Sequence, residues 1–252
     1  MTSTPGTDSG SAAPARTALV TGASGSLGAA VVRQLDQDGY AVALHCFNHP
    51  ELAEEVAADL ANPSTVAVAD LRSWQAVADM CEAVEKELGP ISVLVNSAGM
   101  RKDALLAGQS PTDWRDVIDV NLIGTFHTCR AVVPGMLRKR QGRIVNVVSP
   151  AGMQGSEGQT AYSASKAGVV GLTRSLAREC GRRRVTVNAL SPGYMETAMT
   201  TDLPDDTKAS LAARIPLRRP TTPDEVAAAV TFICESPYMT GQVVAIDGGM
   251  TA

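Results

Sequence analysis

Tyr162 and Lys166 stand four residues apart in the stretch Tyr162-Ser163-Ala164-Ser165-Lys166, and Ser149 lies thirteen residues upstream of Tyr162. On a helix, Tyr162 and Lys166 share one face. A free phenol titrates near ~10 and is a poor acid or base at neutral pH. A lysine ammonium beside it stabilises the phenolate, which lets the phenol give up or take a proton. A serine hydroxyl at the same point can hold a carbonyl oxygen. Together the three side chains can move a proton while a separate donor moves a hydride. The Tyr-x-x-x-Lys spacing alone is common on surface helices, so the elements around it decide.

The chain has 252 residues, enough for one large α/β domain. Hydrophobic residues make up 44%, which supports a full core, and the net charge of -4 gives no field that favours nucleic acid. Aromatics at 4% leave little material for base stacking. The five cysteines (Cys46, Cys81, Cys129, Cys180 and Cys234) include no Cys-x-x-Cys pair. A disulfide or zinc framework is therefore poorly supported, and buried thiols in a reducing cytoplasm are expected. No run of 18 apolar residues marks a membrane span. Residues 1–15 are rich in Ser, Thr, Gly, Pro and Ala, lack the pattern of a signal peptide, and read as a disordered tail.

Beyond the tail, short Val-rich runs alternate with longer amphipathic segments. Strands are expected at 18–20, 41–45, 65–68, 91–96, 143–148, 185–190 and 243–246. Their apolar runs are mostly continuous, as in a parallel sheet covered on both faces. Helices are expected from about 27–38, 51–60, 73–88, 114–140 (in one or two pieces), 160–182 and 223–234. This alternation predicts a single Rossmann-type domain over 16–252, an α/β doubly wound sheet of mostly seven parallel strands with helices on both faces. Residues 194–219 break the rhythm after a strand end and read as a lid. His127, within a helix, reads as structural.

Thr21-Gly22-Ala23-Ser24-Gly25-Ser26-Leu27-Gly28 lies between the first strand and the first helix. That context suits a dinucleotide, because glycines let the backbone approach a pyrophosphate and the helix amino end favours its charge.

With Asp70-Leu71, Asn96-Ser97-Ala98-Gly99, Asn121, Ser149, Tyr162/Lys166, Pro192-Gly193 and Asp247-Gly248-Gly249, these motifs follow a familiar order. From about residue 17 to 250 the chain resembles the short-chain dehydrogenase/reductase family, and within it the 3-oxoacyl-[acyl-carrier-protein] reductases. The resemblance implies that Gly22, Ser24, Gly25, Ser26, Leu27 and Gly28 cradle the cofactor phosphates. Asp70, with Leu71 beside it, would contact the adenine, and Asn96, Ala98 and Gly99 would run past the adenosine ribose. Pro192, Gly193, Met195 and Thr197 would meet the nicotinamide. Tyr162 would be the proton donor, Ser149 would polarise the carbonyl, and Lys166 would lower the Tyr162 pKa and bind the nicotinamide ribose. Asn121 would hold a water that resupplies protons. The family is usually tetrameric, pairing through its two long helices and through its carboxyl-terminal helix and strand. Two departures stand out: Ser26 occupies a usual glycine position, and Asn-Ser-Ala-Gly replaces Asn-Asn-Ala-Gly.

NAD-preferring relatives place an acidic residue at the end of the second strand. Here the residues are His45-Cys46-Phe47-Asn48-His49, with no carboxylate. NADPH is therefore expected over NADH, with His45, Asn48 and His49 as candidate donors to its 2′-phosphate. Met100, Pro150, Ala151, Met153, Gln159 and Tyr194 should wall a mostly apolar pocket suited to an acyl chain. Two basic clusters, Arg138-Lys139-Arg140 and Arg182-Arg183-Arg184, each precede a strand and should share one rim of the sheet. By the resemblance, Arg140 and Arg183 would grip an acidic acyl carrier protein; otherwise they complement helix carboxyl ends. The expected reaction is NADPH-dependent reduction of a β-ketoacyl group on a carrier, in fatty acid or polyketide synthesis. A dehydrogenase of a free alcohol or ketone is the alternative, and a non-catalytic cofactor-binding protein is a third. Neither a metal nor a nucleic-acid or membrane partner is expected.

Overall fold

The computed structural model describes residues 16–197 and 205–252. The expected tail lies outside them, as does the middle of the expected lid.

Seven parallel strands form one sheet in the order β3-β2-β1-β4-β5-β6-β7. They are β1 (Arg16–Thr21), β2 (Tyr40–Cys46), β3 (Ser64–Val68), β4 (Ile91–Asn96), β5 (Gly142–Val147), β6 (Val185–Pro192) and β7 (Val243–Ile246). All residues of β2 and β6 are buried, while edge strands β3 and β7 are partly open. The continuous apolar runs of the central strands have this cause: both faces are covered, so no position needs to be polar. One face packs on α1 (Ser26–Gln37), α2 (Pro50–Ala58) and α9 (Pro223–Glu235) through residues such as Val31, Leu35, Val56, Val226 and Val230. The other packs on α3 (Trp74–Leu88), α5 (Gly124–Lys139) and α7 (Thr160–Cys180) through Val77, Val84, Val132, Met136 and Ala177.

Strand order reverses between β1 and β4, whose carboxyl ends meet where Thr21 pairs with Asn96. In an open α/β sheet this switch point is where the ligand crevice forms.

The expected helix over 114–140 is divided. α4 (Pro111–Ile118) leads into a π-helical turn, Asp119–Ile123, and α5 follows. The extra residue of such a turn is a common mark of a functional position, and Asn121 sits in it. Short helices α6 (Ala151–Gln154) and α8 (Asp205–Ala213) complete the chain, α8 within the expected lid. Arg140 and Arg184 end α5 and the turn after α7 in left-handed conformation. All five cysteines are free and buried. No helix among the described residues is long and apolar enough to cross a membrane.

Candidate active site

The first strand delivers Thr21 to the crevice, and its Oγ1 accepts from the Ser97 and Ala98 amides, each at 3.1 Å. The loop after β1 is thus tied to the loop after β4. Gly22 has φ +71, and a Cβ there would lie 2.8 Å from Ala98 Cα. A Cβ on Gly28 would lie 2.1 Å from the Gly22 carbonyl oxygen. These two glycines are therefore sterically required. Ser26 opens α1 on the exposed side, with no positive φ, so the glycine expected there is dispensable. The amide groups at the start of α1 lie beside a cavity of about 800 Å³ lined by Gly22, Ser24, Gly25, Ser26, Leu27 and Gly28. A helix amino end with close backbone and no carboxylate in the loop fits a pyrophosphate.

The same cavity is lined by Ser149, Tyr162 and Lys166. Ser149 follows β5, and its Oγ accepts from the Ala151 amide at 3.3 Å. Ser149 also acts on the Tyr162 phenol, drawing its pKa down. Lys166 is buried, donates from Nζ to the Val147 carbonyl at 2.9 Å, and lies 5.6 Å from the Tyr162 ring centroid. Burial pushes its pKa down to about 8. Gly99 lets the loop after β4 approach, since a Cβ there would touch both Lys166 Nζ and Asn121 Oδ1 at 3.4 Å.

Burial also pushes the Tyr162 phenol above its usual value; Ser149 and the Arg101 charge oppose this, and Asp103 reinforces it. The phenol is accordingly protonated at neutral pH, the state an acid needs.

Other expected residues separate into two groups. Ala98, Gly99, Pro150, Ala151, Gln159, Pro192, Gly193, Tyr194, Met195 and Thr197 line the cavity. Gly193 packs tightly, since a Cβ would lie 2.6 Å from Asp247 Cα.

Asn96, Asn121, His45, Asn48, Asp70, Leu71, Met100, Met153, Arg140 and Arg183 do not line it. His45 corrects the expectation of a phosphate donor. It is 1% exposed, its Nδ1 accepts from the Gly22 amide at 3.3 Å, and its Nε2 bonds the Ala69 carbonyl at 3.0 Å. Both ring nitrogens are occupied behind the loop. Asn96 likewise turns inward: its amide donates to Asn146 Oδ1 at 2.9 Å and accepts from Thr128 Oγ1 at 2.7 Å. The chain continues from Asn146 to Thr173 Oγ1 at 2.9 Å, tying β4 and β5 to α5 and α7. The Asn121 side chain is spent on the Met100 amide (2.8 Å), the Met100 carbonyl (2.9 Å) and Ser165 Oγ (3.1 Å). Met100 is therefore a backbone anchor rather than a pocket wall, and Met153 is an exposed residue of α6. Asp70 clasps Arg72 at 2.7–3.0 Å, and Leu71 is buried with its carbonyl bonded by His127 Nδ1 at 2.8 Å. Asn48 is exposed beyond β2.

Arg140 and Arg183 precede the paired first residues of β5 and β6, Gly142 and Val185. They share one rim, at the opposite end of these strands from Ser149. Arg101 and Arg214, unnoticed in the sequence, line the cavity. Arg101 follows the Asn96–Met100 stretch by one position, and that placement was the available signal.

The family model described as "Enoyl-(Acyl carrier protein) reductase" matches residues 22–251. An acetoacetyl-CoA reductase of Allochromatium vinosum is 42% identical over 94% of this chain and 98% of its own. A 3-oxoacyl-[acyl-carrier-protein] reductase of Thermotoga maritima is 41% identical over 92% of this chain and 96% of its own. A nodulation protein G of Rhizobium sp. is 42% identical over 93% and 96%. With the sheet order, the glycine loop and the Ser149–Tyr162–Lys166 cluster in one cavity, these matches place the chain in the short-chain dehydrogenase/reductase family of oxidoreductases.

Proposed function

We propose that the protein is an NADPH-dependent reductase of β-ketoacyl thioesters carried by an acyl carrier protein. The observation that carries the reading is the joint placement of Ser149, Tyr162 and Lys166 in the cavity that the Gly22–Gly28 loop opens. When bound, the nicotinamide supplies a hydride to the carbonyl carbon. The protein's part is binding, orientation and proton delivery. Ser149 and Tyr162 hydroxyls hold the carbonyl oxygen and polarise it. Tyr162, kept protonated by burial, gives its proton to the oxygen as charge develops there. Lys166 sets a cation behind the ring. Asn121 supports the site by fixing Met100 and Ser165.

NADPH is favoured over NADH because none of Phe47, Asn48 and His49, which follow β2, is acidic. His49 Nδ1 bonds Glu51 at 2.9 Å, which leaves Asn48 as the nearer polar candidate. A tetramer is consistent with exposed small residues Ala164, Ala167 and Gly171 on α7, beside exposed Ile123 and Phe126.

A second reading replaces the carrier by coenzyme A. One relative bears the name acetoacetyl-CoA reductase, and Arg140 and Arg183 stand at the rim away from the cavity of their own chain. NADPH consumption with one β-ketoacyl group on carrier protein, on coenzyme A and as a free ketone tests both. A higher kcat/KM on the carrier supports the leading reading. Equal or better use of the coenzyme A thioester supports the second, and turnover of the free ketone alone contradicts both.

A further inference from the structure

The lip of the cavity beside Tyr162 carries a cation that the steps above leave unused. Arg101 lines the cavity with Ser149, Tyr162 and Gln159. Its Nη1 lies 3.4 Å from Asp103 Oδ2, and its side chain is 24% exposed. Gln159 Nε2 donates to the same Asp103 oxygen at 3.0 Å. Main chain joins the two loops at this point, where the Ala104 amide donates to the Gly158 carbonyl at 2.9 Å. Arg101 is thus steered by a carboxylate that the start of α7 itself holds. Tyr162 senses both charges, Arg101 drawing its pKa down and Asp103 pushing it up. Lys166 is the third charged group near the ring.

A guanidinium is planar, permanently charged and a directional donor to oxygen. A β-keto thioester carries two carbonyl groups separated by a single carbon. When the ketone oxygen sits on Tyr162 and Ser149, the thioester oxygen must lie close by. We propose that Arg101 is a specificity-determining residue that receives this second carbonyl oxygen, so that the site selects β-keto thioesters over ketones lacking it. This rests on the ketoreductase reading above. The Asp103–Gln159 link holds the guanidinium before substrate arrives, which lowers the ordering cost of binding. A substrate without the second oxygen gains no contact of this kind and is bound less well in the transition state.

The test assays wild type, Arg101→Met, Arg101→Lys and Asp103→Asn by NADPH consumption across pH. The substrates are a β-ketoacyl thioester of N-acetylcysteamine and a ketone of matched length without the thioester carbonyl. In Arg101→Met, kcat/KM for the thioester should fall about tenfold further than for the monoketone, chiefly through KM, with part restored by lysine. Reduction needs protonated Tyr162, so activity falls on the alkaline side. That limb should move to higher pH in Arg101→Met and to lower pH in Asp103→Asn. Equal losses on the two substrates overturn the proposal. So do unmoved limbs, because a guanidinium remote from Tyr162 cannot hold an oxygen next to the ketone. Should the methionine variant fail to fold, Arg101→Lys and Asp103→Asn carry the same comparison. A wild-type protein that turns over neither substrate overturns the ketoreductase reading and this proposal with it.

Discussion

The Gly22 amide donates to Nδ1 of His45 across 3.3 Å, and the same imidazole bonds the Ala69 carbonyl from Nε2. A side chain at the end of β2 therefore fixes the first glycine of the cofactor loop from behind. The bond requires a neutral ring with Nδ1 as acceptor. Burial keeps it neutral by lowering its pKa from 6.5, against the weaker pull of the Ala69 bond and Asp70.

Linkage then gives a sign. The unfolded His45 takes its proton at a higher pH than the folded one. Its contribution to stability is present above about pH 6.5 and is lost as pH falls towards the folded pKa. Melting temperature of the wild type should drop more steeply below pH 6.5 than that of His45→Asn, which does not titrate. His45→Leu should weaken NADPH binding and lower stability by about 1–3 kcal/mol, since the Gly22 amide loses its acceptor. Asparagine, which can still accept, should restore part of the affinity. Titration of cofactor fluorescence at pH 8 reads the binding effect.

Position within the loop decides what a methyl group costs. Gly28→Ala sets a Cβ against the Gly22 carbonyl oxygen, so cofactor affinity should fall about a hundredfold or more, as expected for several kcal/mol of strain. Ser26→Gly, which recreates the usual loop, should change affinity less than about threefold, the range of an exposed substitution. Calorimetric titration of both variants compares them directly.

Lys166 should show function opposed to stability. Its pKa of about 8 against 10.5 in water means that holding the charged form in the fold is costly at neutral pH. The unfolded state binds the extra proton between those values, so stability rises with pH across that window. Lys166→Met removes the charge and keeps the stem. It should melt higher than wild type at pH 7, by up to about 3 kcal/mol, while turnover falls by at least about a hundredfold. A lower melting temperature would show that the Val147 bond outweighs the burial cost.

Much of this fold was legible because each central strand is buried on both faces and so reads as an unbroken apolar run. The closeness of Tyr162 and Lys166 was legible because helix periodicity places them on one face, and the cavity brings Ser149 to them. What stayed hidden were side chains whose direction sequence does not encode. His45 and Asn96 stand where cofactor residues were expected, yet both face inward into hydrogen-bonded networks. Nothing in the spacing tells a buried strut from a ligand. The π-helical turn at Asn121 was also hidden, since one extra residue in a helix leaves the apolar pattern almost intact. Arg101 escaped because its importance comes from Asp103 and Gln159, two loops that meet only in the folded chain.

Tyr162 is the proposed proton donor. Tyr162→Phe removes one hydroxyl from a half-buried ring and keeps its packing. In a single-turnover measurement with a β-ketoacyl thioester, hydride transfer from bound NADPH should slow by about a thousandfold, within the usual range for loss of a general acid. The NADPH dissociation constant should stay within about threefold of wild type, because the hydroxyl serves the carbonyl rather than the phosphate loop. Hydride transfer at the wild-type rate in this variant would contradict the account.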